Sequence, residues 1–104
     1  MTVLSIDTSD SKKVTVRLRI GDKEFQKEQT ISVQKAQAVL PLIVKLLKEQ
    51  GLTLKHIEAI EVNRGPGSFT GLRVGITVAS ALSYALNVPI NGQRPGSFVA
   101  PSYE

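Results

Sequence analysis

The segment Arg64–Arg73, which reads RGPGSFTGLR, places the strongest constraint on how this chain can fold. An apolar run, Ile57–Val62, comes shortly before it, and the following stretch, Val74–Gln93, includes no charged side chain. This arrangement predicts a tight loop that joins a buried strand to a buried helix. The glycines of the loop permit positive φ angles and close packing, and Ser68 and Thr70 are both good helix caps.

Two interpretations of this loop remain open from the sequence. A glycine-rich turn with hydroxyls and arginines at a helix start can bind an anion such as phosphate. The alternative is that the glycines only shape the turn, because an isolated glycine-rich motif is weak evidence for a ligand. Asp7, at the predicted tip of the first strand, is similarly either a ligand of a metal ion or water, or a turn-forming residue. The candidate phosphate-loop residues are Asp7, Thr8, Ser68 and Thr70.

Other chemistry has little support in the sequence. His56 is the only histidine and lies in a polar connector, and the chain has no cysteine, so neither a Ser-His-Asp triad nor a thiolate metal site is indicated. We therefore predict no catalytic residue, no cofactor and no metal site. The net charge of +4 permits contact with nucleic acid without requiring it. The basic residues of a predicted hairpin are the best candidates for phosphate contact: Lys13, Arg17, Arg19, Lys23 and Lys27.

Length and composition indicate one soluble globular domain. The chain has 104 residues, of which 41% are hydrophobic and 21% are charged. The first residues lack a basic segment and reach Asp7 early, so we expect no signal peptide. The uncharged stretch Val74–Gln93 contains several polar residues, so we expect no membrane span and a cytoplasmic location.

The hydrophobic pattern predicts an α/β fold with the order βββαβαβ, in which a mixed five-stranded sheet carries two main helices. Gly21-Asp22 predicts a tight hairpin turn after the second strand. Pro41 predicts either a kink in the first helix or a helix that begins just before it, at Val39–Leu40, and Gly51 is the expected C-cap. The predicted strands are Val3–Ile6, Val14–Ile20, Lys23–Val33, Ile57–Val62 and Val88–Ile90, and the predicted helices are Gln34–Gln50 and Leu72–Leu86.

The second helix carries few polar residues on any face. A helix that is apolar all round is buried all round, and one sheet covers only one of its faces. The small residues Gly75, Ala79 and Ser83 form a stripe at helical spacing, and this small-residue stripe allows another backbone to approach closely. We therefore predict that the two helices present an apolar surface to a partner, and the alternative is that they cover one another. The predicted interface residues are Val39, Ile43, Leu46, Leu72, Gly75, Ile76, Ala79, Leu82 and Ser83.

The segment Gly65–Ile76 strongly resembles the TsaB (YeaZ) family of bacterial tRNA-modification proteins. The opening Leu4–Ser9, the Leu40-Pro41 pair and the closing Val88–Ile90 fit the same family, so the resemblance covers residues 1–92. It implies that these residues form one lobe of the actin-like/Hsp70-like ATPase (RNase H-like) fold. It also implies a role in making threonylcarbamoyladenosine, a modified base beside the anticodon of tRNAs.

The resemblance further implies a non-catalytic scaffold subunit. In that family the chain pairs, through the two helices of this lobe, with a TsaD-like subunit that transfers the threonylcarbamoyl group, and a TsaE-like ATPase joins them. The same resemblance implies a homodimer in isolation and contact with tRNA only through the complex. The composition of the chain leads us to expect no membrane association. The metal-binding histidines of the TsaD-like paralogue would fall in the first helix, where this chain has Ala36, Gln37 and Ala38.

The chain departs from the family pattern in three places. Family members are longer and close a nucleotide cleft with a second lobe, so independent catalysis by this lobe is not expected. Residues 93–104, rich in Gly, Pro and Ser, predict a flexible C-terminal tail rather than the family's continuing helix. Lys35 lies near a first-helix position where many relatives carry a polar residue or a histidine.

Two other functions stay open at this stage. The candidate phosphate loop would serve a nucleotide-binding ATPase-like module, and the basic hairpin would serve a small RNA-binding protein. Arg73, in the first turn of the second helix, needs an acidic partner. We expect that partner to be Asp7, Asp10 or a residue of another chain.

Overall fold

Three antiparallel strands open the fold and turn one apolar face toward the core. The computed structural model describes residues 1–31 and 36–102, and in it β1 spans Thr2–Asp7, β2 spans Lys13–Ile20 and β3 spans Lys23–Thr30. Gly21, with a φ of +61°, lies in the two-residue turn between β2 and β3, so the predicted hairpin is confirmed. Val33, the predicted end of the third strand, lies outside the described residues.

The fourth strand, β4 (Ala59–Val62), pairs in parallel with β1 and gives the sheet the order β3-β2-β1-β4. Leu4 lies opposite Leu18 on one side and Ile60 on the other. Because residues in register share a face of the sheet, the apolar side chains of three neighbouring strands form one continuous surface. The other face, which includes the exposed side chain of Arg17, is covered by neither of the two long helices.

Two helices lie side by side on the apolar face. Helix α1 (Ala36–Glu49) packs on β2 and β3, helix α2 (Phe69–Leu86) packs on β4 and β1, and the two helices contact each other. Burying each large apolar side chain contributes about 1.5–3 kcal/mol, so this layer supplies most of the hydrophobic stabilisation. The core between sheet and helices includes Leu4, Ile6, Val14, Val16, Leu18, Val39, Ile43, Leu46, Leu47, Ile60, Ile76 and Ala79.

The first helix contains Pro41 in its interior. Because α1 is continuous from Ala36, the alternative of a helix that begins just before Pro41 is wrong. Gly51 follows the helix with a φ of +70°, as the expected C-cap requires. Gln34 and Lys35, at the predicted start of this helix, lie outside the described residues.

The second helix begins at Phe69, before the predicted start at Leu72. Ser68 is its N-cap, and the Ser68 hydroxyl accepts a hydrogen bond from the Gly71 N–H at 2.9 Å. Glycine has a low helix propensity, but the cap starts the helix before Gly71 is reached. Asn87, with a left-handed φ of 56°, ends the helix.

The predicted fifth strand, Val88–Ile90, is reduced to two isolated bridges of Ile90, one with Ile60 and one with Gln93. The predicted five-stranded sheet is therefore corrected to four strands among the described residues, with the order βββαβα. Asn91 turns the chain with a φ of +48°. Its side chain accepts from the Val62 N–H at 2.8 Å and donates to the Val62 carbonyl at 3.1 Å. An amide side chain thus takes the place of the next strand residue.

Residues 93–102 run back along the lobe, where the sequence predicts a flexible tail. Val99 is buried, with 4% of its surface exposed. The Arg64 Nε donates a hydrogen bond to the Ala100 carbonyl at 2.9 Å. These contacts attach this part of the predicted tail to the core and to the glycine-rich loop, and residues 103–104 lie outside the described range.

By length and composition alone, α2 is long and apolar enough to cross a membrane, with 18 residues and a mean hydropathy of 1.3. This is weak evidence, because the core helix of a soluble protein passes the same test. Helix α2 packs on β4 and β1, and its Leu72 and Ala79 side chains have no exposed surface. The expectation of no membrane span stays a prediction.

Candidate functional site

Thr8 attaches the end of β1 to α2. Its buried hydroxyl accepts a hydrogen bond from the Gly75 N–H at 3.0 Å and donates one to the Gly71 carbonyl. A Cβ atom at Gly75 would clash with this hydroxyl, so glycine is required for the helix to lie this close to the strand. At Gly75 the predicted small-residue stripe therefore serves the packing of the chain on itself.

Two glycines of the loop, Gly65 and Gly67, are also required by close packing. A Cβ atom at Gly67 would lie 2.6 Å from the Cβ of Ser9, and one at Gly65 would overlap the carbonyl of Ser102. The Ser68 N–H also donates a hydrogen bond to the Ser9 carbonyl at 3.0 Å. The loop is therefore held against the tip of β1, which favours the interpretation that its glycines shape the turn.

Polar groups hold Asp7 at the tip of β1. The Asp7 Oδ1 accepts hydrogen bonds from the Ser9 N–H at 2.9 Å and from the Ser9 hydroxyl at 2.6 Å. Partial burial raises the pKa of Asp7, but the hydrogen bonds from Ser9 and Asn63 and the charge of Arg17 outweigh this effect. The pKa of Asp7 therefore lies below its usual value, and the charged form is the one that the fold stabilises.

A shallow pocket of about 300 Å³ opens beside Asp7 on the face of the sheet away from the helices. Asp7 and Glu61 contribute carboxylates to its lining, and Arg17 contributes a guanidinium. Carboxylate oxygens suit hard cations such as Mg²⁺. Within residues 1–31 and 36–102, however, no three His, Cys, Asp or Glu side chains are grouped to hold a metal ion. The pocket lining therefore combines both signs of charge with apolar surface.

The structure brings the four candidate phosphate-loop residues together only in part. Thr8 and Ser68 both lie at the junction of β1 and α2, but their hydroxyls are engaged by backbone groups of α2. Asp7 is bonded to Ser9, and Thr70 is exposed in the first turn of α2. Two candidate hydroxyls are therefore already in use, and anion binding at this loop stays a prediction.

Most of the residues predicted to meet a partner are buried within the lobe, and their role in an interface stays a prediction. Both apolar stripes face the sheet, because burial there removes them from water. The Ser83 hydroxyl is also engaged, since it donates to the Val88 carbonyl at 2.7 Å. A partner would therefore contact the opposite faces of the helices. Leu82 is partly buried, and the buried members of the list are Val39, Ile43, Leu46, Leu72, Gly75, Ile76, Ala79 and Ser83.

The outer faces of α1 and α2 expose other apolar side chains. The exposed fraction is 42% for Leu40, 40% for Val44 and 57% for Phe69. A groove of about 340 Å³ between the helices is lined by Ala36 of α1 and by several residues of α2. Leu40 and Val44 continue the row of Ala36 at helical spacing. The outer helical face, as we define it, comprises Ala36, Leu40, Val44, Phe69, Arg73 and Thr77.

Arg73 lies over the ring of Phe69, with 5.3 Å between its guanidinium carbon and the ring centroid, a distance typical of cation–π contacts. Neither Asp7 nor Asp10 pairs with it, so those two expected partners are wrong, and no other ion pair of Arg73 occurs among the described residues.

The sequence prediction missed the outer helical face because periodicity cannot tell which side of an all-round apolar helix meets the sheet. The only signal was the helical spacing of Phe69, Arg73 and Thr77.

Together these elements define an α/β lobe in which a mixed sheet carries two helices on one face and a glycine-rich loop leads from β4 into α2. A family model described as TsaD, tRNA N6-adenosine threonylcarbamoyltransferase, matches residues 29–92. The solved structure of YeaZ from Pseudomonas aeruginosa superposes with a TM-score of 0.79 at 37% identity, over 86% of this chain and 41% of that chain. The chain therefore belongs to the family that this model describes, and its relatives identify it as a member of the TsaB (YeaZ) group.

Several curated relatives carry the name tRNA threonylcarbamoyladenosine biosynthesis protein TsaB, and two of them show the extent of the match. The one from Haemophilus influenzae is 34% identical over 90 residues, which are 86% of this chain and 38% of the relative. The one from Bacillus subtilis is 33% identical over 91 residues, which are 88% of this chain and 40% of the relative. The chain thus spans less than half the length of the curated relatives it matches.

Proposed function

We propose that this chain takes part in tRNA threonylcarbamoyladenosine biosynthesis as a non-catalytic scaffold subunit. Support comes from the relatives of Haemophilus influenzae and Bacillus subtilis, which are both named as biosynthesis proteins for this modification. The family model over residues 29–92 adds a link to a TsaD-like transferase. Because the chain spans less than half the length of those relatives, the proposal concerns this lobe.

The outer helical face is the observation that carries the proposal. Leu40 and Val44 of α1 and Phe69 of α2 are exposed, and Phe69 lines the groove between the helices. Exposed apolar patches mark interaction sites, and fully burying one such side chain is worth about 1.5–3 kcal/mol. A TsaD-like subunit binds this face, a TsaE-like ATPase joins the complex, and tRNA is contacted only through it. A second copy of the chain takes the same face when the partner is absent, and the complex works in the cytoplasm.

A nucleotide-binding module has less support from the loop geometry. The buried Thr8 hydroxyl bonds to the backbone of α2 both as donor and as acceptor, and the Ser68 hydroxyl caps the helix by accepting from the Gly71 N–H. Steric contacts with neighbouring residues account for the loop glycines Gly65 and Gly67. These observations favour a structural role for the loop.

RNA binding through the β2–β3 hairpin also has less support, because neighbouring side chains form hydrogen bonds or ion pairs with some of its basic residues. The Arg17 Nε donates a hydrogen bond to the Gln26 Oε1 at 2.8 Å. The Lys13 Nζ lies 3.7 Å from a Glu28 carboxylate oxygen. A basic side chain binds nucleic acid by replacing a counterion at a phosphate. The contacts of Arg17 with Gln26 and of Lys13 with Glu28 would compete with phosphate binding.

The scaffold role predicts a loss of binding when charge is placed on the outer helical face. Leu40→Asp and Phe69→Asp should each weaken binding of the TsaD-like subunit from the same genome at least about tenfold, because each buries a carboxylate among apolar side chains. Titration calorimetry measures the affinity. Thr30→Asp, at the end of edge strand β3, is the matched control and should bind like the wild type. No binding by the wild-type chain would refute the scaffold role.

A further inference from the structure

The two helices carry almost no negative charge. Helix α2 contains no acidic residue, and α1 contains only Glu49, at its last position. The Glu49 Oε2 lies 2.8 Å from the Nζ of Lys27, so this carboxylate is already paired with β3. Lys45, Lys48 and Arg73 are exposed basic residues of the same helices. The outward surface of the helices therefore combines apolar side chains with positive charge.

Arg73 is the charged residue of the outer helical face. It lines the groove between the helices and also a second groove of about 260 Å³ beside α2, next to Phe98. The ring of Phe69 lies against its guanidinium at 5.3 Å, and none of the carboxylates in the described part of the chain pairs with it. A guanidinium held in this way presents its N–H donors as a planar fork, which matches a carboxylate.

We propose that Arg73 selects a protein partner that carries a carboxylate beside apolar side chains, in preference to a second copy of this chain. The inference rests on the proposed function and defines the chemistry of the partner surface. In a two-fold contact both copies present the same face, so each Arg73 meets helices that offer no unpaired carboxylate. Covering a guanidinium without a carboxylate is unfavourable, whereas a bidentate pair with a carboxylate stabilises the contact.

The experiment compares variants of Arg73 in binding to the TsaD-like subunit from the same genome. Arg73→Glu should lower the affinity at least about tenfold, and Arg73→Lys should lower it less, because an ammonium keeps the charge but loses the planar fork. Arg19→Glu makes the same change of charge at an exposed position of β2 and should stay within about twofold of the wild type. Titration calorimetry measures these affinities, and sedimentation velocity of the chain alone measures self-association.

The outcomes separate the two proposals. Losses confined to the Arg73 variants, with self-association at least about tenfold weaker than partner binding, support the selection of an acidic partner. Equal binding by the wild type and Arg73→Glu would overturn this selection while the scaffold role stands. Self-association as tight as partner binding would overturn it in the same way. A wild-type chain that does not bind the subunit would refute the scaffold role and the selection with it.

Discussion

Gly75 is the position where α2 comes closest to β1, and Thr8 is the side chain that it meets there. Two effects oppose each other when a methyl group is added at this position. Alanine has a helix propensity about 1 kcal/mol better than glycine. Overpacking a buried contact costs about 1–3 kcal/mol. Because Thr8 is buried and bonded to both Gly71 and Gly75, it has no room to move aside, so the steric effect should win.

We therefore expect Gly75→Ala to lower the free energy of unfolding by up to about 2 kcal/mol, the steric cost less the gain in helix propensity. Urea denaturation measures this change. The double variant Thr8→Ala with Gly75→Ala removes the clash, so its loss should be smaller than the sum of the two single losses. Strictly additive losses would contradict the steric explanation.

Asp7 should make stability depend on pH. Its pKa in the folded chain lies below the unfolded value of about 3.9, so the ionised carboxylate stabilises the fold above that pH, and this contribution is lost as pH falls through the folded pKa. Asp7→Asn keeps an oxygen acceptor for Ser9 but does not titrate. The difference in unfolding free energy between wild type and Asp7→Asn should be constant near neutral pH and shrink below about pH 4. Urea denaturation across this range measures it, and a difference independent of pH would count against the assignment.

At the end of β4, the backbone of Val62 bonds to the side chain of Asn91 rather than to the backbone of a further strand. Asn91→Ala should lower the free energy of unfolding by about 1–3 kcal/mol, because it leaves the Val62 N–H and carbonyl without their amide partner and puts alanine at a positive φ that asparagine tolerates better. Asn91→Gly accepts the positive φ, so its loss isolates the two hydrogen bonds. Urea denaturation compares them. A glycine variant as stable as the wild type would mean that the amide bonds contribute nothing.

The hydrophobic pattern of the sequence predicted most strands and helices correctly, but it predicted the residues at which they begin and end less well. Alternation predicted the β2–β3 hairpin, and helical spacing predicted α1 and α2. The start of α2 was missed because the Ser68 cap outweighs the low helix propensity of Gly71. The apolar residues Val88–Ile90 predict a strand. An apolar run does not reveal that the side chain of the following residue, Asn91, takes up the hydrogen bonds of the Val62 backbone.

For the whole molecule, the arrangement of layers separates two surfaces of different character. The helices cover one face of the sheet and leave the outer helical face apolar and positive, whereas the open face of the sheet is mixed in charge. Leu40 and Arg73 are candidates for partner contact only through the way that the layers stack, because packing on the sheet leaves these two side chains exposed. Residues 93–102 add to the same arrangement by placing Val99 in the core.

The sequence by itself determined which segments form the four strands and the two long helices, where the glycine-rich loop lies, and the family to which the chain belongs, because periodicity and the GPGSFTGLR motif are local properties. The tertiary structure decided which side of each helix faces outward, since α2 is apolar on nearly every side and only packing against the sheet distinguishes them. It also decided that Thr8 and Ser68 bond to the helix backbone, because those contacts join residues distant in the chain or depend on the start of α2. The segment Arg64–Arg73 thereby gained a structural explanation for Gly65 and Gly67, and contact of Arg73 with a partner stays a proposal.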